Sequence, residues 1–211
     1  VLAGQTADLG TVTLDERYFD VGRLAGASRF ETAAVISQWT VPDGAQPEVV
    51  YVTNGMTYPD ALAAGPAAIV RGGVLLLTQA TSLPQATSDE LLRLNPARVV
   101  VVGGVGAVSD AVLGAIQSIL PGTPVDRVGG ASRYETGVSL VRDAFQAGAE
   151  TAIVATGRNY PDALAAGPAA GVIGAPVILV DGNAASAPST TLALLDDLGV
   201  QRVIIAGGTG A

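Results

Sequence analysis

An identical string of residues, Tyr58-Pro-Asp-Ala-Leu-Ala-Ala-Gly-Pro-Ala-Ala68, returns unchanged as residues 160–170. Two looser strings return in the same order. Arg23-Leu-Ala-Gly-Ala-Ser-Arg-Phe-Glu-Thr32 matches Arg127-Val-Gly-Gly-Ala-Ser-Arg-Tyr-Glu-Thr136, and Arg98-Val-Val-Val-Val-Gly-Gly104 matches Arg202-Val-Ile-Ile-Ala-Gly-Gly208. The offsets are 104, 102 and 104 residues. Solenoid repeats are far shorter, roughly 20–45 residues, so the period here is that of a domain. The copies run over 21–121 and 122–211, the second without a counterpart of the helix that follows Ser109 in the first. Residues 1–20, with an alternating, turn-flanked start, read as the tail of a preceding β domain or a linker.

Each copy alternates strand and helix signals. Val49 to Thr53, Val74 to Thr78 and Val99 to Val102 are short apolar, largely β-branched runs. Helices are predicted near Asp60 to Arg71, over Thr87 to Leu94, from Ser109 to about Leu120, and from Arg133 to Gln146. Thr87-Ser-Asp-Glu90 has capping-box spacing, and Ser109 stands where an N-cap is needed. A short strand is expected around Val125. Apolar strands separated by helices imply a parallel sheet covered on both faces. The predicted fold is therefore α/β, as tandem doubly wound parallel-sheet (flavodoxin/Toprim-like) units of about 100 residues.

The helix in the identical string has no polar face. Beyond Asp60, Ala61 to Val70 is apolar all round, and such a helix is normally buried on every side. Pro66 forfeits the bond to Leu62, so a kink is expected there. Packing between the two units is assigned to Leu62, Pro66, Leu75 and Leu76 in the first copy and to Leu164, Pro168, Val177 and Ile178 in the second. The uncharged run from Ala163 to Val180 approaches the length of a membrane span. Its counterpart is broken by Arg71 and Gly72-Gly73, so a helix followed by a buried strand explains both copies.

Composition removes several chemistries. The chain has no His and no Cys, which excludes imidazole general bases, thiol nucleophiles and most zinc sites. Its net charge of −8 is wrong for general nucleic-acid binding. The carboxylates that recur with the repeat, Glu31 and Glu135, Asp60 and Asp162, behave as structural residues would, and no glycosidase-like pair follows from spacing. No catalytic residue, cofactor or metal site is assigned. Gly103-Gly-Val-Gly-Ala-Val-Ser109 follows a strand and precedes a helix, as a dinucleotide loop would. Its third glycine is a serine, and the acid at Asp126 is Gly22 in the other copy, so that fingerprint is incomplete.

Two groups of residues suit a polyanionic or saccharide ligand. Arg23 and Arg29, with Arg127 and Arg133, are the densest arginines and lie beside helix starts, where guanidinium forks and N–H groups both favour anions. Helix-terminus ion pairing is the competing and plainer explanation. Asn54, Thr57 and Tyr58, with Arg158, Asn159 and Tyr160, flank the carboxyl end of a strand, where open α/β sheets bind ligands. Plain loop chemistry is the competing explanation.

On these motifs, in register twice, the chain resembles the cell wall-binding repeat type 2 family of Gram-positive surface proteins. The resemblance implies a secreted protein held non-covalently at the cell wall by an anionic polysaccharide or teichoic-acid-like polymer. It also implies packing against other repeat units, in cis or in trans, with no nucleic acid and no membrane span. The family's P-I-L-L strand reads Val74-Leu-Leu-Leu77 and Pro176-Val-Ile-Leu179 here. Two other readings remain: a structural or oligomerisation module without glycan binding, and a nucleotide- or sugar-phosphate-binding α/β enzyme.

Overall fold

The structure is a computed structural model and describes residues 22–208. The reading of residues 1–20 lies outside them. The first unit runs α1 (Arg29–Thr40), β1 (Val50–Asn54), α2 (Pro59–Val70), β2 (Val74–Thr78), α3 (Gln85–Leu94), β3 (Val99–Val102) and α4 (Asp110–Ile119). Then follow β4 (Val125–Val128), α5 (Arg133–Ala144), β5 (Thr151–Thr156), α6 (Pro161–Ile173), β6 (Val177–Val180), α7 (Ser189–Asp197) and β7 (Arg202–Ala206). Every strand pair is parallel, in two sheets ordered β2-β1-β3-β4 and β6-β5-β7. The doubly wound fold expected from the sequence is the fold observed.

The sheet boundary does not follow the repeat boundary. β4 lies in the second copy by sequence, yet it pairs with β3, with Val125 opposite Val99 and Val128 opposite Val102. The first sheet is thus closed by the opening residues of the next repeat.

Alternation along the strands sorts the core into layers. Val50, Val52 and Leu76 face Leu91, Leu94 and Ile116 of α3 and α4 in a cluster whose buried members all belong to the first unit, with Val125 of β4 packed against it. Tyr51, Val100 and Val102 face the other way. They join Ala63, Ala64, Ala67 and Ala68 of α2 to Val138, Leu140 and Val141 of α5 and to Ile178 of β6. Leu62 reaches a third cluster with Ala163, Ala166, Val177 and Leu179. Helix α2 is apolar all round because it is wedged between its own sheet and the second unit. Ala63, Ala64, Ala67 and Ala68, 0–4% exposed, let the backbones approach closely.

Local chemistry differs from expectation at two helix starts. α3 begins at Gln85 after Pro84, with no side-chain cap. Thr87 Oγ1 instead donates to Leu77 O (2.6 Å), and Glu90 is occupied by Arg93, so the apparent capping box is not one. Ser109 holds the N-cap position of α4, but its Oγ is buried without a partner. The serines that cap are Ser28 and Ser132, whose Oγ atoms accept from Glu31 N and Glu135 N at 3.3 Å. Ala163 to Val180 divides into α6 and β6 around Gly174, whose φ of 64° ends the helix. Among the described residues, no helix is long and apolar enough to cross a membrane.

Candidate functional site

The order β2-β1-β3-β4 means that the chain moves one way from β1 to β2 and the other way from β1 to β3. Open α/β sheets bind ligands at such a switch, beyond the carboxyl ends of the strands. A cleft of about 380 Å³ lies there, at the lower end of small-molecule sites. The loops after β1 and β3 form one side through Asn54, Thr57, Asp60, Gly104 and Gly106. The start of α5 forms the other through Gly130, Ser132, Arg133 and Thr136. Both repeats therefore build it.

Its walls are held by specific bonds. Asn54, 5% exposed, donates from Nδ2 to Ala107 O (2.8 Å) and accepts on Oδ1 from Met56 N (2.7 Å), tying the two loops together. Arg127 donates to Gly103 O (2.8 Å) and pairs with Asp110 (3.0 Å). Gly103 has φ 114°, and a Cβ there would lie 2.7 Å from Asp60 Oδ2, so only glycine leaves room for that carboxylate. Asp60 makes no hydrogen bond within the described residues. Burial raises its pKa above the ordinary carboxylate value, and Arg133 offsets this only in part.

Some of the backbone donors around the cleft are engaged. Ala107 N and Val108 N donate to Gly104 O (2.9 and 3.0 Å), and Ser109 N donates to Ala80 O (2.8 Å). At the start of α5, Gly130 N donates to Thr136 Oγ1 (3.0 Å) and Ala131 N to Glu135 Oε2 (2.9 Å). The same arrangement recurs at α1, from Gly26 N to Thr32 Oγ1 (3.1 Å) and from Ala27 N to Glu31. Within the Gly103–Ser109 loop, the N–H groups of Gly104, Val105 and Gly106 have no acceptor among the described residues.

The predicted ligand contacts fall into three places. Arg133, Asn54 and Thr57 line the cleft, and Arg127 braces its floor. Arg29 and Arg133 occupy equivalent positions, each donating to the carbonyl of a glycine after a strand, Gly55 and Gly157, at 2.7 Å. Tyr58 and Tyr160 meet across the seam between the units, with ring centroids 5.3 Å apart and planes tilted by 59°. Tyr58 Oη also donates to Arg158 O (3.3 Å). Arg158 pairs with Asp181 (3.1 Å), Asn159 is exposed, and Arg23 lies exposed ahead of α1.

Of the packing candidates, Leu62, Leu75, Val177 and Ile178 join clusters that span the units, and Pro66 is buried. Leu76 packs within the first unit, while Leu164 and Pro168 face outward. Sequence reasoning placed Asp60 only at a helix start and did not bring Gly130, Ser132 and Thr136 to the same cleft. The usable signal was positional, since all lie in the loops or first helical turns that follow parallel strands.

A tandem pair of interlocked α/β units sharing one cleft defines a repeat module. The chain belongs to the cell wall binding domain 2 (CWB2) family, whose model matches residues 23–113 and 127–211. It is similar to N-acetylmuramoyl-L-alanine amidase LytC of Bacillus subtilis, 30% identical over 90% of this chain and 37% of that protein. It is also similar to the amidase enhancer of the same organism, 33% identical over 75% of this chain and 21% of that one. Cwp6 from Clostridium difficile superposes with a TM-score of 0.80 at 32% identity, over 89% of this chain and 29% of its own. Cwp8 from the same organism gives 0.77 at 29%, over 88% and 30%. The chain thus spans little more than a third of these relatives, or less.

Proposed function

We propose that this chain is a non-catalytic module that anchors a secreted protein at the cell surface by holding a secondary wall polymer, an anionic polysaccharide or teichoic-acid-like chain. The observation that carries this is the cleft at the switch point of the first sheet, built jointly by both repeats. The adjoining tyrosine pair adds aromatic surface of the kind that sugar rings stack on, with Tyr58 40% and Tyr160 51% exposed. Guanidinium groups stand at both places, Arg133 in the cleft and Arg158, paired with Asp181, beside Tyr58. Repetition of modest sites along an array raises total affinity through effective concentration.

The test is sedimentation with purified Gram-positive walls, before and after chemical removal of secondary polymers, over a salt series. Binding that disappears with the polymer and weakens with salt is the expected result. Equal binding to stripped walls overturns the polymer assignment. The structural-module reading draws on a separate observation, the exposed apolar residues Trp39, Val172 and Ile205, 68%, 87% and 76% exposed. A folded sample that ignores intact walls yet self-associates would favour it.

A further inference from the structure

We propose that the cleft between the repeats seats an uncharged, hydroxyl-rich sugar ring of the wall polymer, with Asp60 as the residue that selects it, and that the polymer's anionic groups stay outside the cleft. This rests on the anchoring reading above and specifies which part of the polymer the site takes.

The argument is one of unmatched hydrogen-bond capacity. At the α5 start, Gly130 N and Ala131 N are spent on Thr136 Oγ1 and Glu135 Oε2, while in the β3–α4 loop Gly104, Val105 and Gly106 keep N–H groups with no acceptor among the described residues, so the cleft can donate to a ligand. Beside those donors the cleft holds an acceptor, and a hydroxyl can answer both whereas a phosphate can only accept. Asp60 lines it, makes no hydrogen bond within the described residues, and is given its space by Gly103. Asp60 also places a negative charge at the N-terminus of α2, where a phosphate would otherwise be favoured. Arg133 balances that charge, so the cleft carries one carboxylate and one guanidinium. A phosphate entering it would meet a like charge on Asp60. A sugar hydroxyl would donate to Asp60 and restore the bonds that burial takes away. The neighbouring Tyr58–Tyr160 rings offer an apolar face at the same seam.

The two readings of the cleft predict opposite signs for one substitution. If it binds hydroxyls, Asp60→Asn weakens binding; if it binds phosphate, removing the charge strengthens it. The protein is titrated with methyl glycosides of neutral hexoses and N-acetylhexosamines, and separately with inorganic phosphate, while the amide signals of Gly104, Gly106 and Gly130 are followed by NMR. We expect saturable shifts with at least one glycoside and none with phosphate. Asp60→Asn should bind that glycoside, and polymer-bearing walls, about tenfold more weakly, equivalent to about 1.4 kcal/mol. Asp60→Ala should abolish both, and the equivalent change in the second unit, Asp162→Asn, should leave them unaltered. Thermal melts establish that each variant is folded. Phosphate-induced shifts at these amides, no shift with any glycoside, or an Asp60→Asn variant that holds walls as well as or better than the parent would overturn the proposal. Wall binding unaffected by Asp60→Asn defeats this inference and leaves anchoring intact. Glycoside binding without wall binding does the reverse.

Discussion

At the scale of single residues, the repeated Gly-Ala-Ser-Arg-[Phe/Tyr]-Glu-Thr string is a device for starting a helix. Serine, glutamate and threonine each satisfy one N–H at the entry to α1 and α5. The glycine is required because a Cβ on Gly130 would lie 2.4 Å from Glu135 Cβ. Gly130→Ala should therefore cost about 1–3 kcal/mol in denaturant unfolding, as overpacking does. Glu90 is the second informative residue. Burial pushes its pKa up, but hydrogen bonds from Arg93 and Gln38 and the charge of Arg93 outweigh this and hold it below the ordinary glutamate value. A depressed carboxyl contributes stability that is complete above its unfolded pKa and is lost as pH falls through the folded one. Glu90→Gln should lose about 1–3 kcal/mol at neutral pH and flatten the acid limb of a pH–stability curve, since the buried partner bonds go unmet. Asp60 has the opposite sign. Its raised pKa means that ionisation works against folding, so Asp60→Asn should keep or raise the melting temperature while binding falls. A drop in melting temperature would instead mark Asp60 as a structural residue. None of this was legible in the sequence, which displays candidate caps at Thr87 and Ser109 without showing which hydroxyls another partner claims.

At the scale of elements, the sequence was most informative about α2. Ten apolar residues with no polar face predicted a helix surrounded by protein, and from Leu62 to Ala68 α2 packs among its own sheet, α5, α6 and β6, while Ile69 and Val70 at its end are exposed. The closeness of these contacts sets a size limit. Ala64, fully buried, should not accept leucine without a loss of about 1–3 kcal/mol, read from the shift in denaturant midpoint. An unchanged midpoint would mean that the wedge is loosely packed. Strand limits matched to within a residue or so because β-branched runs bounded by glycine and proline leave little choice of register. The destination of β4 was not legible. Val125 to Val128 carries too short a pattern to say which sheet it joins, and only the pairing with β3 decides it.

At the scale of the whole molecule, the duplicated period announced two units but not their interdependence. Residues of both copies fill one continuous cluster, from Tyr51 and Val100 to Leu140 and Leu194. Calorimetry should accordingly record one cooperative transition; two transitions with separable enthalpies would contradict the shared core. The cleft was illegible for the same reason, because half of it comes from residues some seventy positions away that only the docking of α5 brings near. The strand that crosses from one copy into the sheet of the other also bears on how such arrays arise. A gene that gains one whole period supplies every internal sheet with its closing strand, wherever the break falls. A copy excised at Leu120 would leave the β3 edge open. Lineages built this way can lengthen in series, but their copies do not travel singly.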